Sequence, residues 1–135
     1  MASEDAKAFA KVSEAYKLPK GTDDEKAART AAIQNALKGA TEVPLEVMKA
    51  SSGLLASAEE MLTGANANVI SDAGIAILHS ECAVRSAHFN VIINLNYLKD
   101  SDFKSQASSE ASSLLDGLED KSKHLLAKVH EILNS

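Results

Sequence analysis

Residues Asn66–Lys99, NANVISDAGIAILHSECAVRSAHFNVIINLNYLK, decide the fold. The stretch opens on an Asn-rich loop, then runs for nearly thirty residues without proline and with only Gly74 as glycine. Ser71 fits an N-cap, because its hydroxyl can take a free amide of the first turn, and Asp72 follows where the helix dipole favours negative charge. Ile75, Leu78, Cys82, Phe89 and Ile93 recur at the spacing of one helical face. A second face carries Ile77, Val84, Ile92 and Leu95. A helix apolar around much of its girth belongs in the middle of a bundle. Its polar residues are therefore informative. Ser86, Asn90 and Asn94 stand four apart and share one stripe, bordered by Arg85 and Tyr97. A buried carboxamide without a partner costs roughly 1–3 kcal/mol. The stripe therefore either satisfies itself within the protein or lines a slot for a polar heterocyclic ligand.

Outward from that rod the chain reads as further helices. Residues 3–17 carry Phe9, Val12 and Tyr16 on one stripe behind a Ser3 cap, and Leu18-Pro19-Lys20-Gly21 ends them. Thr22 followed three later by Glu25 is a capping box that opens a helix to about Ala40. Val43-Pro44 predicts a break or kink, since proline removes a donor and crowds the preceding turn. Another helix, roughly 44–62, follows, and Gly64 to Asn68 form a loop. Asp100-Ser101-Asp102 announces a last helix. Its apolar steps Ala107, Ala111, Leu114, Leu118, Leu125, Val129 and Ile132 suggest one rod as long as the central one.

The totals agree. At 135 residues the chain has the length of one domain, rich in alanine and lacking tryptophan, as suits closely packed helices. The predicted class is all-α, an antiparallel bundle of four to five helices, two of them long. Such rods leave apolar flanks that self-association or docking in a larger assembly would cover. A net charge of −5 disfavours nonspecific nucleic-acid binding. No apolar run suffices for a membrane span. With neither an apolar leader nor an arginine before Arg29, the expected compartment is intracellular, cytoplasmic before mitochondrial. Cys82, the only cysteine, permits no internal disulfide and reads as a packed thiol. His79, His88, His124 and His130 lack metal-ligand spacing, and no glycine-rich phosphate loop occurs.

Several segments then point one way in correct order. They are Asp5-x-x-Ala8-Phe9, Leu18-Pro19-Lys20, Arg29, Ala32-Ile33-Gln34, Val43-Pro44-Leu45, the Asn66 to Asp72 loop and Asn90-Val91-x-Ile93-Asn94-Leu95. Together they resemble the cyclodeaminase domain of formiminotransferase-cyclodeaminases and the related methenyltetrahydrofolate cyclohydrolases. The resemblance implies a helical, usually dimeric protein that binds a tetrahydrofolate derivative as substrate, with no metal or redox cofactor. It implies general acid/base chemistry, for which Asp72 is the catalytic candidate. Asn66, Asn90 and Asn94 are candidates to position the substrate, and Lys17, Lys20 and Arg29 to hold its anionic tail. Relatives begin with a further glycine-rich segment and helix, and this chain starts with Met just before the Asp-x-x-Ala-Phe helix. Two function classes follow: a folate one-carbon enzyme, or a noncatalytic helical subunit of a larger assembly.

Overall fold

Five helices succeed one another in a computed structural model that describes residues 2–63 and 67–135: α1 (Ala2–Lys17), α2 (Asp23–Met61), α3 (Ala67–Tyr97), α4 (Ser101–Leu115) and α5 (Leu118–Leu133). Among the described residues there is no strand. Two compact units result, each drawn from two segments: residues 1–46 with 88–111, and 47–87 with 112–135.

In the first unit the helices pair antiparallel. Arg29, near the start of α2, reaches the backbone of Tyr16 at the end of α1. Gln34 likewise meets Tyr97 at the end of α3, while Asn94 meets Ala40. Ala15, Ile33, Leu37, Leu45, Val91, Leu95 and Leu98 form the unit's core. In the second unit α3 and α5 are antiparallel, since Arg85 bonds Glu119 and Gly74 faces Val129. Met48, Leu55, Ile70, Ile77, Val84 and Leu125 are the large side chains buried in its core.

The Thr22 capping box forms as predicted. Thr22 Oγ1 accepts from the Glu25 amide at 3.2 Å, and Glu25 Oε2 accepts from the amides of Gly21 and Thr22 at 2.7 and 3.1 Å. Elsewhere the structure corrects the sequence reading. No break occurs at Pro44; α2 runs through it as one helix of 39 residues. α3 begins at Ala67, so Ser71 and Asp72 lie inside the helix rather than at its cap, because burying Ile70 completely draws an extra turn into the fold. α1 begins at Ala2, which places Ser3 within the helix as well. Gly64, Ala65 and Asn66 of the predicted loop lie outside the described residues, and Asn68 is helical.

The buried face of α3 is not the first one named above. Ile75, Leu78, Phe89 and Ile93 are exposed, as are Cys82 and, from the second face, Ile92. Burial follows Ile70, Ala73, Ile77, Ser80, Val84, Ala87, Val91, Leu95 and Leu98 instead, in steps of three and four. Both candidate faces are apolar; the buried one alternates large with small residues. Ala73, Ser80 and Ala87 let neighbouring backbones come close, which the bulkier stripe would prevent.

The predicted last rod is two helices. Gly117 adopts a left-handed conformation (φ 64°) that a side chain would oppose, and it divides α4 from α5. The long helices are thus α2 and α3. In α5, Leu118, Ser122, Leu125 and Val129 are buried, so the long step between the apolar Leu118 and Leu125 holds a core position filled by the small Ser122.

Candidate functional site

Along α1, Asp5, Phe9, Val12 and Tyr16 fall at intervals of four, three and four, which sets all four on one face. Within the first unit they face Leu37 and Ala40 of α2 and Asn90, Ile93, Asn94 and Tyr97 of α3 across a groove of about 520 Å³. That volume lies in the range of small-molecule sites, and so does the make-up: an apolar lining with a few convergent polar groups. Phe9 is 72% exposed, although it is one of only three phenylalanines. Both tyrosines of the chain line the same groove. Rings held open to solvent around a slot offer flat apolar faces for a planar ligand.

The predicted stripe is partly assembled. Asn90, Asn94 and Tyr97 line the groove together. Ser86 does not; it belongs to the second unit, where its Oγ lies 3.8 Å from Cys82 Sγ. Asn94 is half-buried and donates Nδ2 to Ala40 O at 2.8 Å, while Asn90 is exposed. Asp5 supplies the groove's carboxylate. Sequence reasoning named Asp5 only as part of a motif; its registry with Phe9, Val12 and Tyr16 on one helical face was the available signal.

The remaining candidates stand elsewhere. Arg29 is committed to α1: its Nε and Nη2 donate to Tyr16 O at 3.3 and 3.0 Å, and its guanidinium lies 5.5 Å from the Tyr16 ring centroid. It caps the carboxyl end of α1 and fixes the backbone that carries a groove tyrosine. Lys17 and Lys20 are exposed at the α1–α2 turn and do not line the groove. Asp72 is exposed on α3 in the second unit. Asn66 lies outside the described residues.

Two further contacts hold the groove's walls. Gln34 donates Nε2 to Tyr97 O at 3.1 Å and accepts from the Lys99 amide through Oε1 at 2.7 Å, closing the end of α3. Lys38 bonds Asp100 at 2.6 Å and lies 5.4 Å from the centroid of Phe103. Asp100 also accepts from the Phe103 and Asp102 amides, capping α4. The Lys38 bond, aided by those amides, holds its carboxyl below the ordinary range.

A helical domain with a polar-edged aromatic groove is thus the class of protein that the geometry defines. Comparison with known proteins gives the family. Residues 1–113 match the formiminotransferase-cyclodeaminase family, and the chain belongs to it. It is 45% identical, over 85% of its length, to a methenyltetrahydrofolate cyclohydrolase of Methylorubrum extorquens, of which it covers 55%. It is 40% identical over 82% of its length to the mouse formimidoyltransferase-cyclodeaminase, covering 20% of that protein. A crystal structure of formiminotetrahydrofolate cyclodeaminase from Thermotoga maritima superposes with a TM-score of 0.73 at 28% identity, over 98% of this chain and 60% of that one. The chain therefore spans about half the length of the bacterial relative. No helix among the described residues is long and apolar enough to cross a membrane.

Proposed function

We propose that the groove of the first unit binds a reduced folate carrying a one-carbon group and supports its cyclisation or hydrolysis. In cyclisation, N10 of 5-formiminotetrahydrofolate attacks the formimino carbon. The N10 proton and one from solvent end on the departing nitrogen, ammonia leaves, and the 5,10-methenyl form remains. In hydrolysis, water adds to the methenyl carbon and loses one proton to solvent, and the N5–carbon bond breaks as the remaining hydroxyl proton passes to N5, giving the 10-formyl form. Either route needs a group that accepts and returns protons beside the reacting carbon.

The observation that carries this reading is the convergence of Asp5, Asn90 and Asn94 with the rings of Phe9, Tyr16 and Tyr97 in one groove. Asp5 is the proton-transfer group, the carboxamides hold the ligand's polar edge, and the rings flank its plane. Lys17 and Lys20, exposed at the α1–α2 turn, serve the anionic tail, and no metal or redox cofactor takes part. Asp72 competes with Asp5 for the acid/base role.

The chain also associates with a second copy of itself. Phe89 is 71% exposed, and Ile92 and Ile93 are exposed beside it, an apolar cluster unusual on a monomer's surface. Light scattering of the purified chain at micromolar concentration reads the dimer directly.

The test of the reaction follows consumption or formation of methenyltetrahydrofolate by the full chain. Asp5→Asn lowers turnover at least about 100-fold with an unchanged melting temperature, and Asp72→Asn leaves it near wild type. The reverse pattern moves the chemistry to Asp72. No heat on titrating millimolar 5-formyltetrahydrofolate into the chain overturns the folate reading, leaving a noncatalytic helical subunit.

A further inference from the structure

α2 continues through Pro44 without a break, although proline has no amide hydrogen to give the carbonyl four residues back. That carbonyl belongs to Ala40. It is the one that receives the Asn94 side chain, Nδ2 to O at 2.8 Å, from a residue 54 positions away. The bond is half-buried, where an unsatisfied carbonyl is costly. Its second consequence concerns Asn94 itself. An amide whose nitrogen is fixed on a carbonyl cannot exchange its two ends, so Oδ1 is the free end. Oδ1 accepts no bond from any described residue, and Asn94 lines the groove.

We propose that Pro44 and Asn94 act as a pair: the proline orphans a carbonyl, the asparagine satisfies it, and the bond locks a hydrogen-bond acceptor onto the groove wall. Asn94 is then a positioning residue for α2 and a specificity element for the ligand. Flanked by Tyr97 one turn on, a fixed acceptor selects a ring edge bearing N–H donors and rejects one bearing only carbonyls or carboxylates. Resting on the folate reading, this assigns Asn94 to the amino-bearing edge of the pterin ring and not to the glutamate tail.

A thermal cycle tests the pair without any ligand. Asn94→Ala in the Pro44 chain lowers Tm by about 5 °C. In a Pro44→Ala background, residue 44 supplies the missing amide, and the same change costs less than about 2 °C. Equal losses in the two backgrounds overturn the pairing. The second measurement is calorimetric binding of 5-formyltetrahydrofolate and of its 2-desamino analogue. The wild-type chain favours the former at least tenfold, and Asn94→Ala binds both alike. Discrimination that survives in Asn94→Ala refutes the assignment of the ring edge. If neither compound binds the wild type, the folate reading and the assigned edge fall together, while the thermal cycle decides the pairing by itself.

Discussion

The two units hold their helices together by different means. In the first, beside the ion pair of Lys38 with Asp100, side chains of one helix end on backbone at the end or flank of another: Arg29 on Tyr16, Gln34 on Tyr97 and Lys99, Asn94 on Ala40. In the second, ion pairs link one helix to another, Glu59 with Lys121 and Arg85 with Glu119. They stand over a core in which a Cβ added to Gly74 would meet Val129 Cγ1 at 3.0 Å. A bond to backbone fixes direction as well as distance, whereas an exposed ion pair adds little and moves freely. The unit with the groove is the one whose walls are set by directed bonds; the other is set by packing. A groove must stay open, and directed bonds hold helices apart at a set distance where close packing would shut them.

Deleting packing from the second unit should produce the largest change. Leu125 is fully buried, and Leu125→Ala should destabilise the chain by about 2–5 kcal/mol in urea titration. A loss below 1 kcal/mol would mean that this unit does not rest on its core. In the first unit, Gln34→Ala removes both contacts to the end of α3 and should cost about 1–2 kcal/mol, with an accompanying loss of folate affinity as Tyr97 is released. Stability lost with affinity intact would separate the groove from its bracing.

The smallest effect is electrostatic. Asp100 in the first unit, held down chiefly by Lys38, and Glu59 and Glu119 in the second, held down chiefly by Lys121 and Lys123, have depressed carboxyl pKa values. A depressed acid contributes stability that is complete above the ordinary carboxylate pKa near about 4 and is lost as pH falls through the folded value. Asp100→Asn should therefore lower the neutral plateau of the Tm profile slightly and converge with the wild type at the acid end, which flattens the acid limb. Added salt should blunt the pairs of the second unit and spare the backbone-directed bonds of the first.

Local chemistry made part of this legible. The capping box of Thr22 and Glu25 is complete within four residues and was readable without tertiary information. The break expected at Pro44 does not occur, and what takes up the carbonyl it leaves unbonded, Asn94, lies 54 residues away where local sequence cannot point to it. The buried face of α3 was ambiguous in sequence because both faces are apolar; Ala73, Ser80 and Ala87 decide it through close approach, which hydrophobicity does not score. In a serine-rich stretch Gly117 reads as low helix propensity rather than as the left-handed turn it makes. Of the groove, spacing alone puts Asn90 and Asn94 on one stripe with Tyr97 at its border, but it also puts Ser86 there, which does not line the groove. Its opposite wall on α1 is not legible, since nothing local says which helix will face it.

Cys82, the chain's only thiol, is exposed on α3. Two copies stored in air can be joined through it, with oxygen taking up the electrons and a covalent dimer appearing on a gel run without reductant. Light scattering therefore has to be done under a thiol reductant, so that the dimers it counts are held by noncovalent forces. The same atom gives a spectroscopist one labelling point that requires no mutagenesis.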